Sequence, residues 1–221
     1  MAKKTCKGLT YAKYASGGAG GAITYSGGTV KTDYLCKVDI NETRDNQKEH
    51  ADGHQIDAAN GLNAVQVALE LANNDADIKK DLLGHQTGAS TGELDVTDKD
   101  APFVGVGFIL CNRFKGTETY EGYWFHKVQF SSGGLSSSTK RENEQWEHET
   151  INGETMGVVL TSGGDTLYYT HYDAQTTEAA VRTWLNGKAG VSSSGGGKRY
   201  SRPPPERARR PAGSARAQWP A

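Results

Sequence analysis

Residues 101–157 constrain the fold of this chain more than any other part of it. Two apolar and aromatic runs, 101–110 and 119–130, flank a turn-forming stretch at 112–116. Runs rich in Val, Ile, Tyr, Phe and Trp on either side of a short polar turn predict a long two-stranded antiparallel ribbon. Behind it, residues 139–153 read as an extended segment with charge on both faces. A monomeric domain has little reason to build such a strand, whereas an assembly does.

The rest of the chain punctuates like a β protein. Glycine supplies 28 of the 221 residues, and its clusters at 17–21, 27–28, 133–134 and 163–164 separate extended runs. Early strands are predicted over 9–14, 22–25 and 34–40, where Tyr34, Cys36, Val38 and Ile40 alternate with polar neighbours. Another is predicted over 62–71, with Val65, Val67, Leu69 and Leu71 on one face. Between these, residues 41–60 carry charge and almost no apolar side chain, and we expect a long loop there. Loops of that length in a compact domain are usually functional or disordered.

Two short helices complete the prediction. Asn74 is placed to cap a helix from Asp75, with Ile78 and Leu82 on one face and Gly84 as its stop. A second, opened by Thr176 or Thr177 and stopped by Gly187, puts Val181, Trp184 and Leu185 on one stripe. The fold class expected is all-β with minor α: two antiparallel sheets packed as a sandwich or closed-up barrel, one flanking helix and a short C-terminal helix. On the ribbon, Tyr120, Trp124, Val128 and Phe130 form the expected core face. Tyr123, Phe125 and Lys127 lie opposite and suit a subunit contact.

One domain spans 1–190, long enough to bury about 70% of its unfolded surface. Residues 191–221 differ in kind. They hold Lys198, Arg199, Arg202, Arg207, Arg209, Arg210 and Arg216 against Glu206, among Ser, Gly and Pro, on a chain whose overall charge is -1. The body is therefore acidic and the tail basic. With no apolar period the tail is expected to be disordered, either a solvated extension or an arm able to dock on phosphate or on acidic neighbours. No apolar run approaches the ~20 residues of a membrane span and no secretory segment opens the chain, so assembly is expected in the cytoplasm. Cys6, Cys36 and Cys111 have no zinc or redox spacing and read as reduced thiols. Asn41-Glu42-Thr43 matches a glycosylation acceptor, a chance match if the chain is not secreted.

Catalytic patterns weigh little. Gly88-Ala89-Ser90-Thr91-Gly92 fits the G-x-S-x-G string, but it follows a predicted helix and precedes a short strand, the reverse of the strand-to-helix elbow that activates a serine. His50 and His54 would share a metal only on a helix, and Gly53 between them argues against one. His126 and His148 are paired by spacing with no acid or thiol. Glu142, Glu144, Glu147 and Glu149 resemble a glycosidase set but lack the apolar pocket that raises one carboxyl pKa. No catalytic set, cofactor or metal site is predicted.

Three collinear stretches carry a resemblance: Asp81-Leu82-Leu83-Gly84-His85 leading to Lys99-Asp100-Ala101-Pro102-Phe103, the strand ending Trp124-Phe125-His126-Lys127-Val128-Gln129-Phe130, and 139–144 closed by Thr150-Ile151-Asn152-Gly153. With Gly8-Leu9-Thr10-Tyr11-Ala12-Lys13-Tyr14, this order over roughly residues 7 to 187 resembles the major tail tube proteins of long-tailed, non-contractile bacteriophages. The resemblance implies a structural virion protein and no enzyme. Its subunits form sixfold rings whose inner strands join around a lumen, and the stacked rings conduct DNA to the host cell without binding it specifically. Partners would be further copies, a tape measure protein and a tail terminator. The loop 41–60 would cross to the neighbouring subunit through Arg44, Lys48, His50 and Asp52, although Glu49 and His50 replace more apolar residues of the family's pattern. Glu142 and Glu144 would face the lumen, where acidic side chains repel DNA phosphates. The alternatives are the tube or terminator protein of a related phage-like particle and a carbohydrate-binding β-sandwich.

Overall fold

The computed structural model describes residues 3–191 except 33, 52–53, 74 and 134–147, and gives backbone alone for 46–60. The chain is all-β with minor α. It opens with β1 (Lys3–Ser16) and β2 (Thr24–Lys31), followed by the long pair β3 (Leu35–Ala51) and β4 (His54–Leu71). Helix α1 (Ala76–Leu82) and the two-residue strands β5 (Gln86–Thr87) and β6 (Leu94–Asp95) lead to the aromatic ribbon, β7 (Phe103–Phe114) and β8 (Thr117–Ser132). Strands β9 (Glu149–Thr155) and β10 (Tyr169–Gln175) and helix α2 (Glu178–Ala189) end the described fold.

Eight strands form one antiparallel sheet in the order β2-β1-β7-β8-β9-β4-β3, with β10 also on β8, while β5 and β6 pair separately. The two sheets expected to face each other are thus continuous wings of a single sheet. Their junction is β8. Its first half pairs with β10 (Tyr169↔Phe125 to Gln175↔Tyr120) and its last part with β9 (Val128↔Thr155 to Ser132↔Ile151). Where the partner changes, Val104 pairs with Val128 but Val106 with Phe125, so β8 carries an extra residue. This is a β-bulge, and a bulge bends and twists its strand. Around it, the His126 N–H donates to the Tyr168 carbonyl at 3.1 Å and the Met156 N–H to the Lys127 carbonyl at 2.8 Å. The bend turns the wings toward each other over a shared core. Leu9, Tyr11, Val106 and Phe108 of one wing pack in the same cluster as Val65, Val67, Leu69 and Ile151 of the other, with Ile78 and Leu82 of α1.

The bulge also reverses the side-chain alternation of β8, which corrects the predicted faces. Val128 and Phe130 share the wing core with Phe125 rather than with Trp124. Trp124 points the other way, into a second cluster with Ala12, Ile109, Val181, Leu185 and Ala189 beneath α2. Glycine opens that seat. A Cβ at Gly107 would come within 2.6 Å of Leu185 Cδ2 and 2.7 Å of Trp124 Cε3.

Helix α2 begins as expected, with Thr177 Oγ1 accepting from Ala180 N–H at 3.4 Å, but it passes through Gly187. Ala189 extends the buried stripe of Val181 and Leu185 by one more turn, so the helix gains by continuing to Gly190, whose φ of 68° ends it. The domain reaches one residue past the predicted boundary, because Val191 packs on the same cluster. Asp75, not Asn74, caps α1 by accepting from the Ile78 N–H at 3.0 Å. All three cysteines are free. No described helix is long and apolar enough to cross a membrane.

Candidate assembly surface

In place of the expected loop over 41–60, residues 41–51 and 54–60 are strand. Residues of β3 and β4 pair from Leu35↔Leu71 out to Ala51↔His54, with irregularities at Leu35/Lys37, Thr43/Arg44 and Glu49/His50. An absence of apolar side chains does not prevent this, because an antiparallel ladder is made by backbone groups. It does decide what covers the hairpin. β9 pairs with β4 only from Val65 to Leu71, so His54–Ala64 has no ladder partner except β3 among the described strands. Among the described strands, the outer part of the hairpin is a two-stranded arm and β3 is an edge of the sheet.

The four arm residues expected at a subunit contact fall out differently. Arg44 is exposed at the root of the arm, its guanidinium 3.0 Å from Glu42. Lys48 and His50 lie farther out on β3, paired with Ala58 and Gln55. Asp52 lies outside the described residues.

Of the ribbon residues assigned to a contact, Phe125 is corrected: it is fully buried, 5.9 Å from Phe108 and 5.2 Å from Tyr169 in the wing core. Tyr123 is half-buried and stacks on Phe108 at 5.8 Å and on the His171 ring at 4.5 Å. Lys127 is half-buried on the bulge, its ammonium over the Phe103 and Tyr14 rings at 4.4 and 4.9 Å. The alternation used to place these three on an outer face stops at the bulge.

Beside Tyr123 the two wings meet through polar groups. Tyr169 of β10 donates to Glu42 of β3 at 2.6 Å, and Tyr168 donates to the Asn63 carbonyl of β4 at 3.3 Å. The hydrogen bond to Glu42 pushes the Tyr169 phenol up to about 12, and that bond and the one from Arg44 hold the Glu42 carboxyl below its usual range. Side chains therefore close a seam that no ladder among the described strands bridges. On β8 and β10, Glu121, His171 and Asp173 bring their donor atoms within 4.8 Å of one another, a grouping 50 residues apart in sequence that no spacing rule detects.

The outer face of β3, β4, β9 and the end of β8 forms a concave surface of about 660 Å³. Asp39, Asn41, Gln66, Gln129, Asn152 and Glu154 contribute to it, and no basic residue is among its described lining. Glu142 and Glu144, assigned to the lumen, lie outside the described residues. The Gly88–Gly92 stretch joins β5 to β6, so the serine is on no strand-to-helix elbow. His126 is buried with Nε2 at 2.7 Å from Thr170 Oγ1, and desolvation pushes its pKa down to about 4. It is a structural histidine of the bulge. No family model matches the chain, and no curated protein is detectably similar to it in sequence.

Proposed function

We propose that this protein is a self-assembling structural subunit that forms stacked rings, of the kind that make the tail tube of long-tailed, non-contractile bacteriophages. The observation that carries the reading is the arm: an outer hairpin whose β4 strand is paired, among the described strands, on one side only, continuous with a long edge on β3 that no described strand covers. Exposed edges of this length template pairing with another chain. A subunit that docks its arm and edge on its neighbours removes that liability by closing a ring, and a head-to-tail contact between rings propagates into a tube.

The concave amide- and carboxylate-bearing face then serves as channel wall. Asp39 is ion-paired with Lys37, but Glu154 has no basic partner among the described residues, and uncompensated carboxylates repel phosphates and keep passing DNA from sticking. The role is mechanical and electrostatic, with further copies, a tape measure protein and a terminator as partners, and the virion tail as its place after assembly in the host cytoplasm. Sixfold symmetry follows from the family resemblance alone.

Negative-stain microscopy and light scattering on the purified full chain test the proposal. Rings or tubes are expected. A monodisperse monomer at every concentration up to that of a crowded lysate would overturn it.

A further inference from the structure

We propose that Glu121, His171 and Asp173 form a binding site for a divalent transition-metal ion of the zinc type. Antiparallel pairing places the three together: His171 lies opposite Tyr123 in the β8–β10 ladder, Glu121 two residues before Tyr123, and Asp173 two residues after His171. Side chains two apart on a strand share a face. All three donor atoms lie within 4.8 Å of one another.

The distances favour a shared ion over a direct contact. His171 Nε2 is 3.6 Å from Glu121 Oε2, too far for a hydrogen bond. Two donors each about 2.1 Å from a tetrahedral ion lie about 3.4 Å apart, so this pair needs little movement to share one. Electrostatics points the same way. Two carboxylates converge here, and among the described residues neither forms an ion pair with Lys or Arg. A dication would supply the missing charge.

The supporting groups are in place. The His171 ring is held by stacking on Tyr123 at an interplanar angle of 25°. Glu121, only 15% exposed at its side chain, accepts from Asn112 Nδ2 and from the Tyr123 hydroxyl at 3.5 Å. Such outer contacts orient first ligands and tune affinity. Asn112 also keeps its Oδ1 buried with no hydrogen-bond partner among the described residues. One imidazole nitrogen and two carboxylates, with no thiolate, suit Zn²⁺, Co²⁺, Ni²⁺ or Mn²⁺ better than the all-oxygen preference of Ca²⁺ or Mg²⁺.

Calorimetric titration of the full chain with ZnCl₂ and CoCl₂, alongside thermal melts, tests the site. One ion per chain is expected, with a rise in melting temperature that grows with free metal. The bound Co²⁺ spectrum should show no thiolate charge-transfer band. His171→Ala should weaken binding at least tenfold, and the double variant His50→Ala/His54→Ala should leave it unchanged. If His171→Ala fails to fold, Asp173→Asn, exposed and outside both cores, carries the same test. No heat and no thermal shift at millimolar metal, or binding indifferent to position 171 or 173, would overturn the proposal.

Discussion

The hairpins β7–β8 and β3–β4 are alike in design and opposite in surroundings. Both are long antiparallel pairs; the first is closed by Lys115 and Gly116, with φ of 48° and 85°. β7–β8 is paired on both edges, by β1 on one side and by β10 and β9 on the other, and α2 covers the face that the wing core does not. Among the described strands, β3–β4 is paired beyond itself only along Val65–Leu71. Backbone pairing makes a strand of either sequence. Apolar content decides whether the chain can then cover it unaided.

The largest test of this contrast is on the covered side. Trp124 is fully buried, packs edge-to-face on Tyr25 at 5.4 Å and donates from Nε1 to the Tyr25 hydroxyl at 3.2 Å. Trp124→Ala should cost about 3–5 kcal/mol in a denaturant titration. Arg44→Ala at the root of the arm should stay within about 0.5 kcal/mol, since its ion pair is solvent-exposed. Comparable costs at the two positions would erase the distinction.

Next in size is the bulge where the wings join. Folding lowers the His126 pKa from 6.5 to about 4, because burial penalises the charged ring. Between those values the unfolded chain binds more protons, so the stability linked to His126 is present above about pH 6.5 and is lost as pH falls toward 4. The loss should amount to about 3 kcal/mol by pH 4. It is read as the difference between wild type and His126→Gln, which cancels the other titrating groups. Parallel stability curves for the two proteins over that range would remove His126 from the linkage.

The same contrast explains what could be read from the sequence. Val65, Val67, Leu69 and Leu71 face the core as their alternation predicts, and Asp75 to Leu82 and the Thr177 cap were visible through local chemistry. The face of Phe125 was not, because one extra residue near His126 shifts the parity and leaves no compositional mark. The arm was missed for a different reason. Its residues lack the apolar alternation used to recognise strands, yet Asp52-Gly53 between them is the two-residue hairpin signal that would have found it. Glu121 and His171, 50 positions apart in sequence, meet only through the β8–β10 ladder.

A smaller effect is expected at the polar seam. Tyr169→Phe removes the hydrogen bond to Glu42 and should cost about 1 kcal/mol near neutral pH. The Glu42 carboxyl is held low in the fold, so this contribution is present above the ordinary carboxyl range near 4.3 and fades as pH falls below it. The gap between wild type and variant should therefore narrow in acid. A gap that stays constant from pH 7 to pH 3 would mean that the phenol stabilises through packing alone.

The smallest effect on stability should accompany the largest on assembly. Cutting residues 45–61 and joining Arg44 to Leu62 through an Asn-Gly turn keeps the pairs from Leu35↔Leu71 to Arg44↔Leu62, and with them the contact of Glu42 with Tyr169. The buried residues of β4 begin at Val65, inside the retained part, so the melting temperature should shift by no more than a few degrees. If the arm is the element that reaches a neighbour, the trimmed chain should remain a monomer in light scattering under conditions where the full chain forms rings or tubes. A trimmed protein that melts far lower would show that the arm supports its own domain. Rings formed as readily as before would leave the free edge of β3, without the arm, as the surface that joins one copy to the next.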